Sequence, residues 1–310
     1  MKTTKEKLIV IVGPTAVGKT ALSLELAKRF NGEIINGDAF QVYRGLDIGT
    51  AKITQSEMDG IPHHLIDIRN PEEQYNVVDY KNDVSKCIQD ITTREKLPIL
   101  VGGTGLYVQS VLYDYQFPET IEDAELREKL YTLDNYELHR QLSELDPVTA
   151  TNIHPNNKKR VVRALEVCIL SGKKFSEQTA ASEKIALYDA IVIGLEMERN
   201  QLYERINARV LQMMNNGLEN EVRKLVEKGL SEKQSMLAIG YKEFFPYFNN
   251  EKTIDEVINE IQQSSRNFAK RQFTWFRNKM DVQWFDMSDT SDFINNLDRI
   301  CKFVDKELQS

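Results

Sequence analysis

Long apolar runs are missing from this chain: no eighteen consecutive apolar residues occur, close to the minimum for crossing a bilayer as a helix. The opening residues Met1 to Lys7 are charged and lead straight into an apolar strand, so the apolar segment of a secretory leader is missing too. A soluble, cytoplasmic protein without a membrane partner is therefore expected. Cysteine is scarce. Cys87, Cys168 and Cys301 are too far apart for local zinc spacing, and their odd number speaks against a disulfide framework, leaving reduced packing thiols. Positive charge is not in excess either. A net charge of −7 argues against a protein that coats nucleic acid through summed phosphate contacts, although it permits a local basic groove. Internal repeats and low-complexity linkers are also absent.

What is present is a chain of 310 residues, 41% hydrophobic and 28% charged, enough for one large α/β domain and a smaller companion. Lys7 to Val12 is a short β-branched run that meets Gly13-Pro14, as a buried parallel strand does on entering a tight loop. A helix is predicted from Lys19 to Phe30, a strand over Glu33 to Asn36, a strand or strand-loop over Ile61 to Ile68, and a helix from Val77 to Thr92. Leu97 to Val101 is a third buried strand, running into Gly102-Gly103-Thr104-Gly105. From about Phe117 the pattern becomes helical, over Glu122 to Leu133, Asn135 to Leu145 and Lys158 to Ser171. Ala190 to Leu195 returns to strand character. Helices follow over Arg199 to Asn216, Leu218 to Lys228, Tyr241 to Phe248 and Ile254 to Lys279. The expected fold is thus α/β, a P-loop NTPase-like parallel sheet flanked by helices, with an inserted all-helical domain. The core would take residues 1–115 and 186–310, and the insert 116–185.

Gly13-Pro14-Thr15-Ala16-Val17-Gly18-Lys19-Thr20 matches G-x-x-x-x-G-K-[ST] in the setting that motif needs, after a strand and before a helix. Such nucleotide- and ATP-binding loops turn their N–H groups inward, add the potential of a helix N-terminus, supply a cation in Lys19, and offer Thr20 to Mg²⁺. ATP hydrolases usually carry an aspartate at the tip of another strand, but Leu97 to Val101 ends in Gly-Gly-Thr-Gly without an acid. What remains is a small-molecule kinase, or an enzyme that holds a diphosphate leaving group.

Further segments are Gly37-Asp38-Ala39-Phe40-Gln41-Val42-Tyr43-Arg44-Gly45, Asp47-Ile48-Gly49-Thr50-Ala51-Lys52 and Ile61-Pro62-His63-His64-Leu65-Ile66-Asp67. After them come Gly102 to Tyr107, Lys159-Arg160-Val161-Val162-Arg163-Ala164-Leu165-Glu166, Ile239 to Glu243, and Ala269-Lys270-Arg271-Gln272-Phe273-Thr274-Trp275-Phe276-Arg277. With the phosphate loop, and in this order, they resemble the tRNA dimethylallyltransferase (tRNA isopentenyltransferase) family over about the first 285 residues. One departure is Ala39, where that family often has Ser after the Asp. The resemblance implies a P-loop fold and a Mg²⁺-dependent transferase. Its phosphate loop, Gly13 to Thr20, would hold dimethylallyl diphosphate, and its acceptor would be N6 of the adenosine 3′ of the anticodon in tRNA. It also implies that Arg127 contacts tRNA.

The reaction so implied sets requirements that can be placed on residues. Negative charge builds on the departing diphosphate, which asks for Lys19, Thr20, loop N–H groups and Mg²⁺. The exocyclic amine is a poor nucleophile and must lose a proton, which asks for a carboxylate; Asp38, at the carboxyl end of the second strand, is the candidate. Thr104 would reach the same sheet edge, giving Asp38, Thr104 and Lys19 as the catalytic set, with Thr20 at the metal. Of Arg199, Arg205 and Arg209, one would clamp the diphosphate. A base splayed from its loop would be held by Asp38, Ala39, Phe40, Gln41 and Thr104, and the RNA backbone gripped by Arg127, Lys159, Arg160 and Arg163. Arg266, Lys270 and Arg277 form a second basic stripe. His63-His64 point to opposite faces of a strand and are expected to be structural. Met213-Met214 and Phe268, Phe273, Trp275 and Phe276 read as helix core, with one ring able to stack on a base. A monomer acting on the anticodon stem-loop is the working expectation. The alternatives are a nucleoside- or shikimate-type kinase, an isopentenyltransferase acting on free adenine nucleotides, and an RNA-binding switch with an inert nucleotide site.

Overall fold

The computed structural model describes residues 5–114, 117, 123–179, 185–289 and 292–309. Residues 1–4 and Glu122, the first residue of an expected helix, lie outside the described residues. The chain divides into two compact units, Met1–Leu112 with Leu187–Ser310, and Tyr113–Ala186.

In the first unit, elements β1 (Lys7–Val12), α1 (Lys19–Arg29), β2 (Gly32–Asn36), β3 (His63–His64), α2 (Val77–Thr93), β4 (Leu97–Gly102) and α3 (Gly105–Leu112) come before the insertion. The insertion holds α4 (Ala124–Thr132), α5 (Asn135–Leu145), α6 (Pro147–Asn152), α7 (Lys158–Ser171) and α8 (Phe175–Thr179). The first unit resumes with β5 (Asp189–Glu196), α9 (Arg199–Asn215), α10 (Leu218–Glu227), α11 (Phe245–Phe248), α12 (Ile254–Lys279), β6 (Gln283–Asp286) and α13 (Phe293–Gln309).

The six strands form one sheet in the order β3-β2-β4-β1-β5-β6, and every neighbouring pair is parallel. β1 and β2 are buried almost throughout, as strands covered on both faces must be. Ile9 and Ile11 of β1, Leu22 and Leu26 of α1, Ile193 and Leu195 of β5 and Ile300 of α13 share one apolar core. Because the chain runs from β1 to β2 on one side and reaches β5 on the other, β4 and β1 flank the point where strand order reverses. Loops leaving the carboxyl ends of the strands open a crevice there.

The edges of the sheet differ from the expected pattern. Over Ile61 to Ile68 only His63 and His64 pair as strand, because Leu65 and Asp67 take left-handed backbone (φ 64° and 55°) and turn the chain away. His63 Nδ1 lies 2.9 Å from the Ile61 carbonyl, and His64 Nε2 lies 2.7 Å from Glu33 of β2. Tyr241 to Phe248 is not one helix. A 3₁₀ turn at Lys242–Phe244 precedes α11, where Pro246 occupies the first turn. β6 and α13 extend the sheet and its cover beyond the predicted elements.

The second unit has its own core of Leu130, Leu138, Leu142, Val161, Val162 and Leu165. Asp146 is fully buried and organises it, accepting from Thr149 N and Oγ1 and from Ser176 N and Oγ at 2.6–3.1 Å. Burial alone would raise its carboxyl pKa, but these donors win and hold it at about 2.

Candidate active site

The loop joining β1 to α1 is wound to receive an anion. Ala16 and Gly18 take positive φ (65° and 109°), an alternation that turns successive N–H groups into one concavity. Gly18 caps α1 without any side-chain hydrogen bond. By contrast α2, α5, α9 and α12 are closed by Asn76, Asp134, Glu198 and Thr253. The first donors of α1 therefore stay open beneath the positive end of its dipole. Lys19 Nζ reaches back across the loop to the carbonyls of Gly13 (2.9 Å) and Pro14 (2.7 Å). Burial, and then the charge of Arg209, pull its pKa down to about 7 against the opposing charge of Asp38. Burial also lowers Arg209, whose Nη1 lies 3.5 Å from Thr15 Oγ1. Two desolvated cations beside an open helix N-terminus complement a compact polyanion.

These groups face a cavity of about 530 Å³, whose walls include Thr15, Lys19, Thr20, Asp38, Arg209 and Gln272. A second cavity of about 320 Å³ shares Thr15, Asp38, Arg209 and Phe268 and adds Thr104 with the apolar side chains of Ile206, Val210, Met213, Leu237, Ile239 and Ile261. Charge grip and apolar chamber are thus contiguous, with Asp38 in the wall of both. The loops after β2 and β4 converge because their backbones nearly touch. A Cβ on Gly102 would lie 2.2 Å from the carbonyl oxygen of Gly37, and Gly37 N donates to Val101 O at 2.7 Å. Only glycine permits that approach.

Asp38 is fixed by Asn36, which accepts from its N–H (3.0 Å) and donates to its carbonyl (3.2 Å). Its Oδ1 accepts from Phe40 N (2.8 Å) and Gln41 N (3.3 Å), while among the described residues no protein donor meets Oδ2. One oxygen holds the turn and the other faces the cavity's contents, the geometry of an oriented base. Gln41 Nε2 donates to the Thr50 carbonyl (3.0 Å). The segment carrying Thr50 is in turn gripped by Glu221 of α10, which accepts from the N–H groups of Asp47, Ile48 and Gly49 and from Tyr241 Oη (2.6 Å).

Among the described residues, no group of three or more His, Cys, Asp or Glu could hold a metal ion by itself. Thr20 and Asp38 nevertheless share the first cavity's wall, which fits a Mg²⁺ carried largely by phosphate oxygens and water.

Of the three arginines left open by the sequence, Arg209 enters both cavities. Arg199 stacks on Tyr203 (5.3 Å), and Arg205 lines the first cavity only. Met213, expected in a helix core, instead lines the apolar chamber, as does Phe268, whereas Phe276 is buried. Two cations of the C-terminal stripe have protein partners. Arg266 binds Asn207 (2.5 Å), and Arg277 binds Glu196 (2.6 Å) while covering the Phe273 ring. Gln272 and Glu221 were not singled out by sequence; both belong to elements distant in the chain, and only contacts reveal them.

In the second unit Arg127 forms a two-pronged bond with the buried Glu166 (2.5 and 3.3 Å), and Arg163 lies 3.8 Å from the same carboxylate. Lys159 and Arg160 are exposed in the first turn of α7, which has neither a side-chain cap nor an acidic residue. Cations at a helix N-terminus oppose its dipole, a placement that an external anion would relieve.

Fold and loop together define a P-loop-like α/β protein with a helical insertion and a cavity lined by cationic side chains at the sheet's switch point. Residues 41–279 match the family model of IPP transferase. The tRNA dimethylallyltransferase of Anoxybacillus flavithermus is 52% identical over 300 residues, covering 97% of this chain and 96% of that protein. That of Bacillus pumilus is 50% identical over 308 residues, 98% and 97% of the two chains. The solved tRNA isopentenylpyrophosphate transferase of Bacillus halodurans is similar with a TM-score of 0.77 at 48% identity, over 98% of this chain and 97% of that one. A eukaryotic dimethylallyltransferase solved acting on tRNA gives 0.84 at 32% identity, over 96% of this chain and 77% of that one. This chain belongs to the IPP transferase family.

Proposed function

We propose that this protein transfers the dimethylallyl group of dimethylallyl diphosphate to N6 of the adenosine 3′ of the anticodon in tRNA, releasing diphosphate. The observation that carries the reading is the contiguity of the cationic loop cavity with the apolar chamber, with Asp38 between them. The loop N–H groups, Lys19, Thr20 and Arg209 would bind the diphosphate and take up the charge it gains as the allylic C–O bond breaks. The amine lone pair forms the new C–N bond as that bond's electron pair leaves with diphosphate. The amine proton passes to the open oxygen of Asp38. Thr104 would hydrogen-bond the diphosphate or the adenosine from the facing loop. Mg²⁺, held by Thr20 and phosphate oxygens, would supply further charge neutralisation on the leaving group.

Ala39, Phe40 and Gln41 would hold the splayed base. Lys159, Arg160 and the half-exposed guanidinia of Arg127 and Arg163 would grip the RNA backbone, with the second unit as the RNA-binding domain of a monomeric, cytoplasmic enzyme. No described helix is long and apolar enough to cross a membrane. The test is incubation with Mg²⁺, radiolabelled dimethylallyl diphosphate and unmodified tRNA, with ATP and free nucleosides as controls. Label entering tRNA is the expected result. ATP turnover with a small acceptor, and no label in tRNA, would replace this reading with a kinase.

A further inference from the structure

Glu221 of α10 ties together two segments that wall the apolar chamber. Its carboxylate accepts from three successive backbone N–H groups, those of Asp47 (3.1 Å), Ile48 (2.9 Å) and Gly49 (3.1 Å), and from Tyr241 Oη (2.6 Å). Successive N–H groups turned toward one point make a nest for an anion, and here the chain fills its own nest. All four bonds are charge-assisted, and Glu221 lies in the first turn of its helix, where the dipole favours negative charge. Burial, and then the charge of Glu221, raise the Tyr241 phenol, so the hydroxyl remains a donor. The Tyr241 ring also presses on Gly49, where an added Cβ would lie 2.4 Å from it.

Glu221 lines neither of the two contiguous cavities, but the segments it holds do. Thr50 and Ala51 stand in the walls of both, and Leu237 to Ile239, just before Tyr241, stand in the wall of the second. The Thr50 carbonyl accepts from Gln41 Nε2 at 3.0 Å, which decides the end of that amide left for a ligand. Nε2 is spent, and Oε1 meets no protein donor among the described residues. Gln41 shares the first cavity's wall with Asp38, so an acceptor is set in place alongside the candidate base. We propose that Glu221 is a positioning residue for the acceptor adenosine: by pinning residues 47–50 it fixes Gln41 Oε1 relative to Asp38, without itself touching substrate. This rests on the tRNA-transfer reading. Charge makes the opposite prediction, since removing a carboxylate from a chain of net charge −7 favours a polyanionic partner.

The experiment measures, on the full chain, kcat and KM for label transfer to tRNA, calorimetric affinity for inorganic diphosphate with Mg²⁺, and hydrogen exchange over residues 46–52. Glu221→Gln keeps the size but offers the four donors a single acceptor oxygen. Its kcat should fall about tenfold or more, the scale of a small misplacement at the reacting centre. KM for tRNA and affinity for diphosphate should stay within about threefold, because the RNA grip and the phosphate loop are untouched. Exchange at Asp47, Ile48 and Gly49 should quicken about tenfold, the equivalent of one lost hydrogen bond. Tyr241→Phe removes one donor and should lower kcat about threefold; added to Glu221→Gln it should cost nothing more, since its effect passes through that carboxylate. An unchanged kcat or unchanged exchange in Glu221→Gln, an equal loss of diphosphate affinity, a rise in KM alone, or additive losses in the double variant each overturn the proposal. Where Glu221→Gln does not fold, the kcat and exchange of Tyr241→Phe decide it. A wild type that places no label in tRNA is a distinct outcome, which removes the transfer reading and this inference with it.

Discussion

The rim of the sheet and the first turn of α7 both present cations, but under opposite physical conditions. At the rim Lys19 and Arg209 are desolvated, their pKa values lowered by burial, and their positions are set by loop carbonyls and Thr15. On α7 Lys159 and Arg160 are exposed. Buried charge held in place acts strongly over a short range and belongs to chemistry. Exposed charge acts weakly, is screened by salt, and belongs to the capture of a long polyanion.

The sharpest way to break this contrast is at Asp38. Asp38→Ala should lower kcat for label transfer to tRNA at least about a hundredfold with little change in tRNA affinity, the usual loss for a general base; a fall in affinity alone would place Asp38 in binding only. Next, Asp146→Ala leaves four donors, the two on Thr149 buried and the two on Ser176 part-buried, without their acceptor and should destabilise the second unit by about 3 kcal/mol, read by urea denaturation. The sign of its pH dependence follows from a lowered carboxyl. Its contribution is complete above the ordinary value of 3.8 and is lost as pH falls through about 2.

On the exposed side, Lys159→Ala with Arg160→Ala should raise KM for tRNA roughly tenfold at 0.15 M salt, flatten the salt dependence by about two phosphate contacts, and leave kcat unchanged. The smallest effect concerns Lys19. With a free-protein pKa of about 7 it is mostly neutral at pH 8 and regains its proton beside a bound diphosphate. Diphosphate affinity should therefore fall roughly fivefold from pH 7 to pH 8, with proton uptake approaching one per ligand at pH 8 and near none at pH 6, measured by calorimetry in two buffers.

Much of the fold was legible because the chain punctuates itself. The run Leu8 to Val12 into Gly13 and the helical patterns of Ile254 to Lys279 and of the insert are local signals, and the corresponding elements stand within a residue or two of their expected bounds. β3 shrank to two residues and the Tyr241 helix broke because left-handed backbone and a proline act against weak apolar patterns. β6 has four residues and a pairing partner ninety positions upstream, so its strand character comes from the ladder with β5 rather than from its own sequence.

The sequence by itself determined the phosphate loop, the acid at Asp38 and the glycines that let two strand ends meet, since each depends on residue type and near neighbours. Tertiary structure alone decided that Arg209, rather than Arg199 or Arg205, lines both cavities, that Met213 and Phe268 wall an apolar chamber, and that Gln272 spans from α12 to Thr15 across 257 positions. Those choices rest on which side chains from distant elements arrive within a few ångströms of one another, and that proximity is a property of packing rather than of any stretch of chain.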